Sequence, residues 1–248
     1  MKLRTLIAIG LLTFLVLAII SVPASVLFGL VEQYGVTAAG TEGSAWKGRA
    51  QMLQVQGVNV GAVEWDLHAL GLLALKLQAD VKITRPEGFA NAEVSLRSAE
   101  SVTFQNLTAS VPLGALAGVA PAGWRGTVNM KFAELVLQDG WPSSANGTAE
   151  ILNVSSPNPN APLTGSYKLT FPAAGVDVAD GVLAADLVDL GGPLQIQGEL
   201  QLRPDRSYLL AGNVAARPDA PRNLANQLQI LGPADAEGRR PFSLEGTL

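Results

Sequence analysis

The chain has 248 residues, 48% of them hydrophobic and 15% charged, with 26 glycines, 15 prolines, one histidine and no cysteine. That much apolar material builds a sizeable core and excludes a disordered chain. The absent cysteines exclude thiol chemistry and Cys-containing metal sites, while leaving the redox compartment open because a large core needs no covalent staples. Beyond Lys2 and Arg4 the chain carries 15 basic against 21 acidic side chains, about −6, a balance that repels phosphate backbones and excludes nucleic acid as a partner.

Residues 6–31 contain no charged side chain, a run longer than the roughly 20 residues a helix needs to cross a bilayer. With Lys2 and Arg4 ahead of it, the positive-inside bias leaves residues 1–5 in the cytoplasm and residues 32–248 on the far side. A cleaved signal peptide is the rival, since Val22, Pro23 and Ala24 stand at suitable spacing before Ser25. The apolar run over 6–20 is at or past the length of a signal core, which favours a retained anchor. Deleting everything before Glu32 behind a cleavable signal is then expected to give a soluble exported body.

The next segment, 42–66, carries two tryptophans with glycines between them. Trp65 follows the apolar phase of Val63, Trp65 and Leu67, and the alternation predicts that it is buried. Trp46 reads as a packing residue or as a ring near the lipid head groups, and for both tryptophans partner contact is the alternative. Gly48 and Gly57 read as points of close backbone approach or as bulges that bend a sheet.

Alternation then runs through most of the chain. Over 75–83, Leu75, Leu77, Ala79, Val81 and Ile83 stand on one face, with Lys76, Gln78, Asp80 and Lys82 on the other. Shorter runs over 92–96, 102–104 and 128–132 precede the proline-rich stretch 155–162, which cannot join a ladder and is expected to divide two lobes. Further strands are predicted over 167–171, 182–187, 194–202, 208–214 and 242–248. Between the runs lie Gln56-Gly57, Asp139-Gly140, Asn146-Gly147, Asp180-Gly181 and Gly191-Gly192-Pro193, read as turns. A helix capped by Asp219 is predicted from near Pro221, with Leu224, Leu228 and Leu231 on one face and Gly232-Pro233 at its end. A shorter apolar turn is predicted over 113–119. The fold class is therefore all-β: a single N-terminal transmembrane helix, then a curved, mostly antiparallel, many-stranded sheet, half-barrel or sandwich-like, with one or two short helices.

Candidate chemistry is thin. His68 lies beside Asp66, but no Gly-x-Ser-x-Gly elbow presents a serine to it, and it reads as an exposed strand-end residue. Glu64 and Asp66 face one side of a strand, the placement of a glycosidase pair or of a solvated face that discourages aggregation. Asp177, Asp180, Asp186 and Asp189 do not follow calcium-loop spacing and read as turn caps. No catalytic residue, metal or cofactor is assigned.

Gly43, Trp46, Gly48 and Ala50, the strand 53–57, the run from Val63 to Ile83, and the late Gly-Glu-Leu-Gln-Leu-Arg-Pro strand over 198–204 carry a resemblance. Together with the length and the N-terminal anchor, they make the chain similar to the type II secretion system protein N family. The resemblance implies an accessory or structural inner-membrane subunit of the machine that exports folded periplasmic proteins across the outer membrane, with no catalytic role. Its partners would be other inner-membrane and periplasmic secretion subunits, which the exported sheet would contact. The same grammar of amphipathic strands behind an anchor also resembles AsmA-type envelope proteins, which implies the alternative of a periplasmic half-barrel that binds or passes lipid. That alternative requires a continuous exposed apolar groove, a rarity on soluble surfaces.

Overall fold

The computed structural model describes residues 21–68, 71, 77–98, 100–115, 123–157, 164–174 and 181–247. Among the described residues, thirteen strands form one sheet whose spatial order is the order of the chain. Each pairing described is antiparallel, as expected when every strand alternates one polar and one apolar face. Tight reversals make the sequential order possible. At Gln56-Gly57 and Asp139-Gly140 both residues take positive φ (50° and 80°; 51° and 75°), the geometry whose twist matches two antiparallel strands.

The chain divides into two compact units, 1–95 and 96–248. The described part of the first unit holds helix α1 (Ala24–Val31) and strands β1 (Val36–Gly43), β2 (Lys47–Val55), β3 (Val58–Leu67), β4 (Leu77–Arg85) and β5 (Gly88–Leu96), the last residue of β5 belonging to the second. Its core is Ala24, Ala50, Val63 and Trp65, with Phe28 and Ile83 packed around them. The Phe28 ring meets Trp65 edge-on at 5.4 Å between centroids. Most of the predicted anchor, residues 6–20, lies outside the described residues. Its C-terminal part does not continue as one helix: Pro23 is extended and bridges to Ser44, and α1 starts at Ala24 and packs on the sheet. Among the described residues no helix is long and apolar enough to cross a membrane.

The second unit holds β6 (Ser101–Pro112), β7 (Arg125–Gln138), β8 (Trp141–Ser155), β9 (Thr164–Phe171), β10 (Leu183–Gly191), β11 (Leu194–Leu202), β12 (Ser207–Ala216), helix α2 (Arg222–Gln227) and β13 (Arg240–Thr247). Phe132, Ala145, Phe171, Leu183 and Ala185 form its main core. A second cluster joins Leu224 of α2 to Leu194 and Val214. Here α2 is shorter than the predicted helix: after Gln227 the chain tightens into a 3-10 turn over Leu228–Leu231, ending at Gly232. Its N-cap is Pro221 rather than Asp219, with no side-chain cap, the proline's fixed φ setting the entry. The predicted turn over 113–119 is a 3-10 turn at Leu113–Ala115, its remainder lying outside the described residues.

Two strands escape the alternation. β1 has only small or polar residues over most of its length, so its apolar face is faint. β8 contains Pro142 and Asn146-Gly147, which the sequence reads as a turn. Instead Gly147 lies inside the strand, opposite Phe132, where the register shifts between Phe132 and Glu134. The connection 155–162 joins β8 to β9 within the second unit, with residues 158–162 outside the described part.

Candidate docking surfaces

In the first unit the tryptophan segment is built around a glycine. Gly48 pairs with Trp65 across β2 and β3, and a Cβ at Gly48 would stand 2.6 Å from the Trp65 ring and 2.6 Å from the Glu42 carbonyl oxygen. The indole therefore lies over bare backbone, its own Nε1 donating to the Ala45 carbonyl at 3.2 Å, and Trp65 is 7% exposed. Trp46 is half-buried, and its backbone N–H donates to Ser44 Oγ at 3.3 Å in the bend that leads into β2. Gly57 stands apart, at the apex of the β2–β3 hairpin with no neighbour within 4 Å of a Cβ placed there. The four residues thus do not form one site: Gly48 and Trp65 are joined, Trp46 enters the same strand, and Gly57 is at its far end.

The opposite face of this unit is a charge ladder. Glu42, Arg49, Glu64 and Lys82 are register partners across β1 to β4, alternating in sign. Arg49 Nη2 donates to Glu42 at 2.6 Å, and Lys82 approaches Glu64 at 4.0 Å. In the next row Lys47 binds Asp66 at 2.6 Å, and His68 Nε2 lies 3.0 Å from Asp80. Glu64 and Asp66 each face a cation of a neighbouring strand, Lys82 and Lys47. The hydrogen bond with Asp80 raises the His68 pKa above its ordinary value. All these groups are well exposed, and rows of alternating sign keep the face solvated.

The second unit carries a groove of about 460 Å³ on one face of β8 to β13. Its floor is three rows of register partners. One runs Leu169, Leu187, Gly198, Gly212, Phe242, and the next runs Ala185, Leu200, Leu210, Leu244. Gly198 and Gly212 face each other in the first row, where a Cβ on Gly198 would meet the Ala211 carbonyl oxygen and one on Gly212 that of Gln197. Leu231 and Leu244, at the margin, are 41% and 57% exposed. The third row, at the end near α2, brings polar groups onto the same face: Tyr167 is opposite Asp189, and Val214 is opposite Arg240. Asp189 accepts from the Ile196 N–H at 2.9 Å and pairs with Arg217, and Arg240 donates to the Gly232 carbonyl. Burial, with the nearby Asp189 charge, raises the Tyr167 pKa.

This arrangement was legible only in part. Asp189 occupies a position of apolar phase, after Ala185 and Leu187, and that break in the alternation is its sequence signal. Its carboxylate both accepts the Ile196 N–H across the β10–β11 turn and pairs with Arg217 at the groove end. Asp186 accepts the Ala174 N–H at 2.9 Å, whereas Asp177 and Asp180 lie outside the described residues.

Over residues 34–243 the chain matches the family described as type II secretion system (T2SS), protein N. The chain belongs to that family. It is similar to the type II secretion system protein N of Vibrio cholerae serotype O1, 28% identical over 93% of this chain and 92% of the relative. Similar proteins of that name occur in Pectobacterium carotovorum subsp. carotovorum (25% identical; 91% and 90% covered) and Aeromonas hydrophila (22% identical; 100% of both chains). No solved structure matches the chain. As a member of the type II secretion system protein N family, the chain is a structural component of the bacterial envelope's secretion machine and not an enzyme, and it works in partnership with other secretion subunits.

Proposed function

We propose that the chain is an accessory inner-membrane subunit of the type II secretion system, anchored once through the part of the uncharged run that precedes Ser21, with residues 1–5 in the cytoplasm, supporting export of folded periplasmic proteins by protein contacts. The family match over 34–243 carries this reading. The uncharged N-terminal run and its preceding lysine and arginine support the topology. On the exported body, β1 and β13 end the strand order and offer edges to which a partner can add a strand. Gly57, at an open hairpin apex, and Trp46, half-buried beside β2, are the contact residues of the first unit, with Gly48 and Trp65 holding that surface from within.

The experiment is deletion of the gene in a type II-secreting bacterium, with export of a secreted protein measured after complementation by the full chain bearing a photo-crosslinker at Gln56. Reduced export restored by complementation, with crosslinks to other secretion subunits, is the expected result. Undiminished export together with no crosslink to any secretion subunit overturns the proposal.

The alternative raised by the sequence, a periplasmic body that binds lipid, has one specific observation in its favour. The exposed apolar groove that it requires is present in the second unit.

A further inference from the structure

The groove between β8 and β13 has an unusual division of chemistry. Along the rows through Leu187 and Leu200 its lining is apolar side chains. A bound polypeptide strand would bring an N–H and a C=O with every residue and find few partners there. An alkyl chain makes no such demand. At about 460 Å³ the groove has room for a single alkyl chain. The volume also falls within the range typical of small-ligand pockets.

The end near α2 supplies the complement. Two guanidinium groups, Arg217 and Arg240, stand there against one buried carboxylate, Asp189. Arg217 Nε is buried without a hydrogen-bond partner, although its Nη2 holds Asp189. An excess of positive charge with an unsatisfied buried donor, at one end of an apolar trough, fits a ligand with an anionic head and an apolar tail. A component of the bacterial envelope works where such molecules are abundant.

We propose that this groove holds one acyl tail of an anionic lipid, its acidic head group against Arg217 and Arg240. This deepens the lipid reading of the groove and does not depend on which secretion subunits the chain contacts.

The test uses the full chain in a type II-secreting bacterium, with Leu210 replaced by benzoylphenylalanine. After illumination the purified protein is weighed by mass spectrometry and its adducts are identified. Lipid adducts are expected at position 210 and several-fold fewer from Gln197, whose side chain belongs to the opposite face of β11. Arg240→Gln leaves the Arg217–Asp189 pair in place and should lower the share of anionic lipid among the adducts several-fold, with Arg240→Lys restoring it. Protease resistance equal to the parent's certifies that each variant is folded. Peptide adducts at 210, no adduct from folded protein, or a head-group distribution indifferent to Arg240→Gln overturns the proposal. Failure of the secretion reading would appear separately, as undiminished export with the lipid adducts intact.

Discussion

An indole lying on bare backbone makes Gly48 intolerant of any side chain, whereas Gly57 needs only its left-handed backbone. The two glycines therefore fail for different reasons when replaced by alanine. Gly48→Ala forces Trp65 and the Glu42 carbonyl apart and should cost about 1–3 kcal/mol by overpacking. Gly57→Ala has open space around it and should cost about 1–2 kcal/mol through backbone strain alone. Urea unfolding followed by tryptophan fluorescence separates them, because only Gly48→Ala should also alter the native emission of Trp65. His68 gives a second prediction. Its raised pKa means that the protonated ring stabilises the fold, a contribution fully present below the ordinary 6.5 and lost as pH rises through the higher folded value. His68→Ala should thus lower the unfolding midpoint slightly in mild acid, have no effect in mild alkali, and leave export unchanged. A midpoint that drops only in alkali would contradict the Asp80 pairing.

At the scale of elements, α1 changes where the folded body can be cut. Ala24 and Phe28 belong to the first core, so truncation before Glu32 strips the edge-on neighbour from Trp65. A chain starting at Ser21 behind a cleavable signal should be soluble and fully folded. One starting at Glu32 should be destabilised by about 3 kcal/mol or more, the usual cost of removing a packed phenylalanine, as thermal unfolding of the two will show. The sequence could not announce this, because an uncharged helix that packs on a sheet and one that spans lipid share the same composition. Elsewhere legibility followed the strength of alternation. β11 was readable to the residue, since Leu194, Ile196, Leu200 and Leu202 alternate with glutamines and a glutamate. β8 was not, because Asn-Gly serves a bulge as well as it serves a turn, and only the partner strand decides between them. Of the groove, the individual apolar faces were visible, but their lateral alignment depends on register, which a single strand's pattern does not reveal.

Across the whole molecule, strand order identical to chain order means that each strand pairs only with those before and after it. Stability in such an array is largely a sum of neighbouring interfaces, so damage should remain local. Gly147→Ala, which places a methyl 2.8 Å from the Phe132 ring, should speed hydrogen exchange in β7 to β9 while β1 to β4 keep their protection. Loss of protection throughout the first unit would show that the two units unfold as one. The seam at the base of α1 has a mechanical corollary. Val22 accepts a hydrogen bond from the Ala45 N–H at 2.8 Å, and Pro23 bridges to Ser44, so the polypeptide is already stitched to the sheet before its helix begins. A span ending near Ile20 would have almost no slack before that stitch. The first strands would then be mounted stiffly, unable to swivel on a loose leash, and any tilt of the buried span would be passed directly to them as by a short lever.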